Sequence, residues 1–359
     1  MPFQNWCAIL LVALLMCAGR ADSERAKHPP ADLKPPVEDG IWLRPSPDGP
    51  AEPVIGLRDG LRIALWPAAR GPRGLIRICT PYVFPDQSRS LINFIAVEPI
   101  VGDWRSLSEL EHSSLDDRQG LRMWLSDTSD PSDRSDRPPW NPSRGKTSKI
   151  KARGKYVEVL TVFLNIEKLD NGAQPVIQVT FRSDRPNEVG FKVFAAKDSA
   201  KMESCVLSAT MGNYARTRLL WLKDEVIDSR KLWPNYTGND FVGTDDFPLK
   251  RIRRDKDGSL IAAITPNEKD PASAQMPPGG WPFLGKVATQ YWRKYPGTAK
   301  LDLRVRVNGR AAYWGSHAPI PGGVAFENFE FIQSFTPGEE SWFGVTLETP
   351  QQMGWKLPE

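Results

Sequence analysis

The stretch "PGGVAFENFEF", residues 321–331, sets two glutamates and an asparagine inside a run that otherwise has the pattern of a buried strand. Read with a period of two, Ala325, Glu327, Phe329, Phe331 and Phe335 share one face. Phe326, Asn328, Glu330 and Ile332 share the other, so whichever face turns inward carries an acid. Glu327 is the more awkward of the two, beside three phenylalanines. An ionised carboxylate buried without partners costs several kcal/mol or more, so it must be paired, hydrogen-bonded or protonated.

"LINFIAVEPIVGDW" repeats the anomaly. Ile92, Phe94, Ala96 and Glu98 lie on one face and Leu91, Asn93, Ile95 and Val97 on the other, which implies a strand buried on both sides with Glu98 near its end. Two acids at the ends of core strands can meet across a cleft. There a desolvated carboxyl serves as general acid, and a solvated or cation-paired neighbour serves as base. His317, in the loop "SHAPIPGG" that feeds the Glu327 strand, completes the candidate catalytic set of Glu98, Glu327 and His317. The competing reading stays open. A strand-end glutamate also ties down a loop or pairs with an arginine, and Arg122, Arg216, Arg218 and Arg293 all lie in strand-like segments. A lone loop histidine can equally be a solvated residue.

Tryptophan is abundant, at 13 residues. Indole rings stack on the apolar faces of sugars, but they also fill the cores of large β-sandwiches. Trp233 in "RKLWPNYTGNDF" and Trp281 in "PPGGWPFLG" sit in turn-rich contexts and are better surface candidates than Trp221 or Trp292. With Arg216, Arg293 and Asn328 they form the candidate substrate-binding set, and the partner such residues suit is a polysaccharide or other glycan.

Other chemistries have no signature here. There is no nucleophile elbow, two-histidine zinc motif or dinucleotide fingerprint. "GKTS" matches only the tail of a phosphate loop, with Trp140 where the first glycine belongs, and "DKDG" at 255–258 is a hairpin turn without the later ligands of a calcium loop. The chain has three histidines and no zinc-like spacing, so neither metal nor cofactor is expected. A formal charge of +4 with scattered basic residues gives no reason to expect nucleic acid.

The elements that must position these residues are strands. In "KLDLRVRVNGRAAYWG", Leu301, Leu303, Val305 and Val307 point one way, and Asn308-Gly309 predicts a two-residue type I′ hairpin. That hairpin pairs Val305 with Ala312 and Leu303 with Trp314, placing Trp314 on the core face. About fifteen such runs occur, punctuated by proline and glycine, and only "SLSELEHSS" (106–114) reads as a short helix. This exceeds the seven to nine strands of an immunoglobulin-type sandwich. The expected fold is all-β: a large antiparallel two-sheet sandwich forming one domain over 55–359. Residues 126–154, polar and repetitive, read as a long loop excursion.

At the N-terminus an apolar run over 7–19 and a cleavage point before Asp22 predict a signal peptide over 1–21 and a secreted or periplasmic protein. Leu14-Leu15-Met16-Cys17 resembles a lipobox, but methionine before the cysteine fits poorly and lipid anchoring at Cys17 is the lesser reading. Residues 22–54 read as a proline-rich tether, and no later run is long and apolar enough to span a membrane. Cys79 and Cys205 either pair or remain separate buried thiols.

Taken together, "INFIAVEPIVG", "LSATMGNYARTRLLWL", "QYWR", "VNGRAAYWGSHAPIPGG" and "AFENFEF" resemble an uncharacterised family of secreted bacterial proteins, mostly from planctomycete genomes. The resemblance spans most of 55–346 and implies export and a shared fold, with no activity attached. More distantly, the many long strands resemble the galactose-mutarotase-like β-supersandwich of epimerases and polysaccharide lyases. No catalytic motif of those enzymes matches residue by residue, so no catalytic role transfers. The function expected is an exported carbohydrate-binding or carbohydrate-processing protein. The alternative is a non-enzymatic envelope or assembly protein whose buried acids are structural.

Overall fold

A computed structural model describes residues 32–68, 71–83, 91–131, 140–210, 215–267, 288–314 and 317–356. Among these residues the chain is nearly all strand, arranged as two antiparallel sheets of eleven strands each. This is the two-sheet sandwich expected from the alternating pattern.

The first sheet starts at Val37–Asp39 and runs through Trp42–Arg44, Val54–Leu57, Arg62–Ala64 and Leu75–Cys79 to the long strand Leu91–Val101. It continues through Ser204–Ala209, Ala325–Ile332 and Arg304–Arg310 to Asp245–Pro248, with Trp104–Arg105 hooked onto the end of Leu91–Val101. The second sheet is built around Thr289–Lys294, Glu339–Thr346, Glu188–Ala195 and Pro175–Arg182. Its outer strands include Lys155–Ile166 on one side and Leu260–Pro266 on the other.

The main core lies between the sheets. Ile95, Val97, Leu207, Phe329 and Phe331 of the first pack with Ile177, Phe191, Trp292 and Phe343 of the second. Polar contacts cross this apolar layer at several points. Trp292 donates its indole N–H to the Phe329 carbonyl at 2.8 Å, and Asn93 donates to Gln290 at 2.7 Å. Asn93 is therefore buried and satisfied, as a polar residue on a core face must be. Cys79 and Cys205 are separate buried thiols, not joined in a disulfide.

Several local expectations are corrected. Asn308-Gly309 is not a hairpin turn: it lies within Arg304–Arg310, which pairs with Ala325–Ile332. A Cβ on Gly309 would lie 2.5 Å from Trp233 and 2.8 Å from the Ala325 carbonyl, so glycine is needed there for close approach. The expected helix at 106–114 is a series of turns. Ser108 explains this, since its hydroxyl accepts from the Val97 N–H and donates to the Gly74 carbonyl, drawing the segment onto the sheet. Lys146–Ala152, within the expected loop excursion, is an edge strand paired along its length with Lys155–Ile166. The sheet also begins inside the segment read as a tether. Asp39-Gly40 turns Val37–Asp39 back onto Trp42–Arg44, and Trp42 enters the core. The leader, including Cys17, lies outside the described residues.

Candidate functional site

The two anomalous acids are brought together by the first sheet. On Leu91–Val101, Ile95 and Val97 face the main core, so Ala96 and Glu98 face outward by alternation. Ala325–Ile332 breaks that alternation. Val307 pairs with Phe329, but Gly309 pairs with Phe326, so Glu327 and Asn328 together oppose the single residue Asn308. This is a β-bulge, and the extra residue resets the phase of the strand. Phe326 and Phe329 both enter the core, while Glu327, Asn328 and Glu330 all turn to the outer face. The charges in "AFENFEF" are thus not beside the phenylalanines, because the bulge separates them. The Asn328 N–H freed by the bulge donates to Asn308 Oδ1 at 3.1 Å.

Glu98, Glu109, Glu327, Asn328 and Glu330 all line one cavity of about 610 Å³ on this outer face. That volume is in the range of small-ligand sites. Its floor is the sheet. Its walls come from the 106–121 turns, through Leu107, Glu109 and Leu110, and from the segment after the one-turn helix Ser229–Leu232, through Phe241 and Val242. The Val242 N–H donates to the Gly309 carbonyl at 2.9 Å, fixing this wall to the bulged pair of strands.

Arg105 holds two of the acids. The turn at Gly102-Asp103, with Gly102 at φ +58°, folds Trp104–Arg105 back along the Glu98 strand. Arg105 Nε donates to Glu98 Oε2 at 2.5 Å, and Nη2 donates to both oxygens of Glu330 at 3.0 Å. Burial opposes the guanidinium charge, but the two carboxylates outweigh it and hold the Arg105 pKa above its ordinary value. For Glu98, burial first, and then the nearby Glu330 charge, push the carboxyl well above the usual range despite Arg105.

Glu327 has no such clasp. It is 2 % exposed, its Oε2 has no hydrogen-bond partner, and burial raises its pKa to about 8 against the pull of the Arg310 charge. Glu109 behaves similarly, since burial raises it to about 7 against its hydrogen bonds and Arg105. Near neutral pH the Glu327 carboxyl is mostly protonated and can donate a hydrogen bond or a proton.

One wall is aromatic. Trp314 is 48 % exposed and Phe241 42 %. Their ring centroids lie 5.9 Å apart, and the buried Arg310 guanidinium lies about 5 Å from each ring. Trp314 was expected on the core face. With no hairpin at Asn308-Gly309, the strand continues to Arg310, and in the segment that follows Tyr313, not Trp314, is buried.

The remaining candidates fall elsewhere. His317 is exposed in the loop after Trp314, with φ +54°, and does not line the cavity. Trp233 is buried rather than surface-facing. It donates to Asp245 Oδ2 at 2.7 Å and packs edge-on against Phe326. Arg216 is buried away from the cavity lining. Arg293 belongs to the second sheet, where it binds Glu188, Asp255 and Ser259. Trp281 lies outside the described residues. The cation that pairs the acids, Arg105, is none of the four arginines singled out from the strand-like segments. Among the described residues no three His, Cys, Asp or Glu side chains converge as a metal site, and no helix is long and apolar enough to cross a membrane.

No family model matches the chain, and no curated protein matches it. Among solved structures, a crystal structure of the protein HI1317 is 8 % identical with a TM-score of 0.23, covering 87 % of this chain and 98 % of that one. A TPR-domain containing protein from Parabacteroides distasonis ATCC 8503 is 9 % identical with a TM-score of 0.23, covering 91 % of this chain and 56 % of that one. At that level of similarity neither bears on the architecture or the site.

Proposed function

We propose that this is an exported protein that binds carbohydrate in the cavity floored by Glu98, Glu327 and Glu330. The observation that carries the reading is the pairing of an exposed aromatic wall with buried polar groups in one concave site. Trp314 and Phe241 offer half-exposed aromatic surface, and Glu327, Asn328 and Asn308 offer hydrogen-bonding groups from the adjoining floor. Sugars need both, an apolar surface for ring C–H groups and directional partners for hydroxyls. In a processing reaction Glu327 is the candidate general acid, because its raised pKa keeps the proton available near neutrality.

A second reading is supported by the Arg105 clasp. Glu98 and Glu330 are neutralised internally, which is what buried acids in a non-enzymatic envelope or assembly protein would show. The two readings part on Glu327 and Trp314, which the clasp does not involve.

The test is electrophoresis of the purified protein through native gels cast with neutral, amino and sulfated polysaccharides. Retardation by at least one polysaccharide, lost in Trp314→Ala, is the expected result. Unretarded migration on every member, with Trp314→Ala indistinguishable from the parent, leaves the acids as structural and overturns the proposal.

A further inference from the structure

Resting on the carbohydrate reading, we infer that the ligand of this cavity carries a positively charged amine, and that its chemical class is an amino sugar with a free ammonium group rather than a neutral or sulfated glycan.

The charge inventory of the cavity gives the first reason. Three arginines line it, and each already has a carboxylate. Arg73 binds Asp116 at 2.9 Å, Arg306 binds Asp246 at 2.7 Å, and Arg105 is shared by Glu98 and Glu330. Among the lining residues no cation is left over for an anionic ligand, and the buried Arg310 beside the aromatic wall, which is not part of the lining, is held by the Ala312 and Asn239 carbonyls. Glu109 and Glu327 are the carboxyls in the lining without an ion-paired cation, and burial raises them to about 7 and about 8. A ligand that brings its own cation supplies what the site lacks.

The second reason is the character of the unpartnered atoms. Glu98 Oε1, Glu109 Oε2, Glu327 Oε2 and Asn328 Oδ1 are buried and have no hydrogen-bond partner, and all four belong to residues lining the cavity. Every one is an acceptor when the acids ionise, and an ammonium has three donors and no acceptor. Arg73 Nε and Nη2 are also unpartnered, but that guanidinium lies 5.2 Å from the ring of Trp66, which is not part of the lining.

The aromatic wall agrees with this assignment. Trp314 and Phe241 are each about half exposed and already have the Arg310 guanidinium about 5 Å from their rings, so they suit the apolar C–H groups of the sugar and leave the ammonium to the acids. The chain as a whole carries a formal charge of +4, so a cationic ligand is not drawn to it non-specifically.

The test compares three oligomers with the same backbone in isothermal titration at neutral pH: the glucosamine trimer, its fully N-acetylated form and cellotriose. The glucosamine trimer is expected to bind at least about tenfold more tightly than the other two, the scale of one charge-assisted hydrogen bond. Glu327→Gln, and independently Glu109→Gln in case the first variant folds poorly, should reduce that preference while weak binding to all three persists. Trp314→Ala should weaken all three together. Equal affinities for the three oligomers overturn the amine inference and leave the carbohydrate reading standing. Binding to none of the three, with retardation in gels cast with another polysaccharide, does the same. No binding in either assay overturns both.

Discussion

Glu98 and Glu330 sit on strands that are not neighbours, with Ser204–Ala209 between them, yet both grip the guanidinium of Arg105. Both carboxylates are almost wholly buried, and the cation reaches them from a two-residue strand at the sheet's edge. Removing one member of a buried ion pair leaves charge uncompensated and costs about 3–5 kcal/mol. Arg105→Met is expected to lose stability on that scale in urea unfolding at pH 7. Arg105→Lys, which keeps the charge but not the fork, should lose less. A loss below about 0.5 kcal/mol for Arg105→Met, the scale of an ordinary surface change, would mean the clasp carries no stability.

Glu327 makes the fold sensitive to pH in a defined direction. Its folded pKa is about 8, against 4.5 for the free side chain. Below pH 4.5 both folded and unfolded states hold the proton and the penalty is absent. Between pH 4.5 and 8 the unfolded chain releases the proton and the folded chain keeps it, so stability falls as pH rises by roughly 1.4 kcal/mol per pH unit from this group. Above about 8 the loss levels off. Glu327→Gln should therefore gain stability relative to the parent as pH rises from 5 to 8, read from paired denaturation curves. A constant difference between the two proteins over that range would show that Glu327 is not desolvated.

Three residues of this cavity, Glu98, Glu327 and Asn328, are legible in the sequence, and the rest are illegible for physical reasons. Glu98 stood out because an acid among Ile92, Phe94 and Ala96 breaks a two-sided apolar strand, and it is indeed fully buried. Glu327 stands out for the same reason, but strict alternation does not give its surroundings. A bulge adds one residue to a strand without any signature in residue type, so strict alternation put Glu327 among the phenylalanines. Asn308-Gly309 carries the local signal of a hairpin. The packing of Trp233 into the space a side chain on Gly309 would occupy overrides that signal, and without the hairpin Trp314 lies on the cavity wall rather than in the core. Arg105 escaped notice because a two-residue strand has no period to read. The loop residues Glu109 and Phe241 join the site only through the fold, since nothing local marks them.

The two tryptophans whose places were exchanged make a paired prediction. Trp314 is half exposed, whereas Trp233 is buried and hydrogen-bonded to Asp245. Trp314→Ala should change stability by no more than about 0.5 kcal/mol and abolish retention on polysaccharide gels. Trp233→Ala should cost about 3–5 kcal/mol by opening a cavity against Phe326 and Gly309. Retention by the folded fraction should be little changed. The opposite assignment of losses, with Trp314→Ala unfolding the protein and Trp233→Ala sparing it, would restore the hairpin reading.

The bulge itself can be tested by removing it. Glu327 and Asn328 together oppose Asn308, so deleting Asn328 leaves one residue opposite one and restores unbroken alternation through Ala325–Ile332. Phe326 and Phe329 would still face the core, and Glu327 and Glu330 the cavity, because the deletion removes only the residue that resets the phase. The variant lacking Asn328 is therefore expected to fold, with strand content by circular dichroism unchanged. Its cavity floor would be altered, and polysaccharide retention should fall. Deleting Phe329 instead leaves the same number of residues but takes a core side chain from the ladder, and it should cost on the order of the 3–5 kcal/mol of a large aromatic truncation. Equal damage from the two deletions would mean that the strand has no extra residue at Asn328, and that Glu327 reaches the outer face by another route.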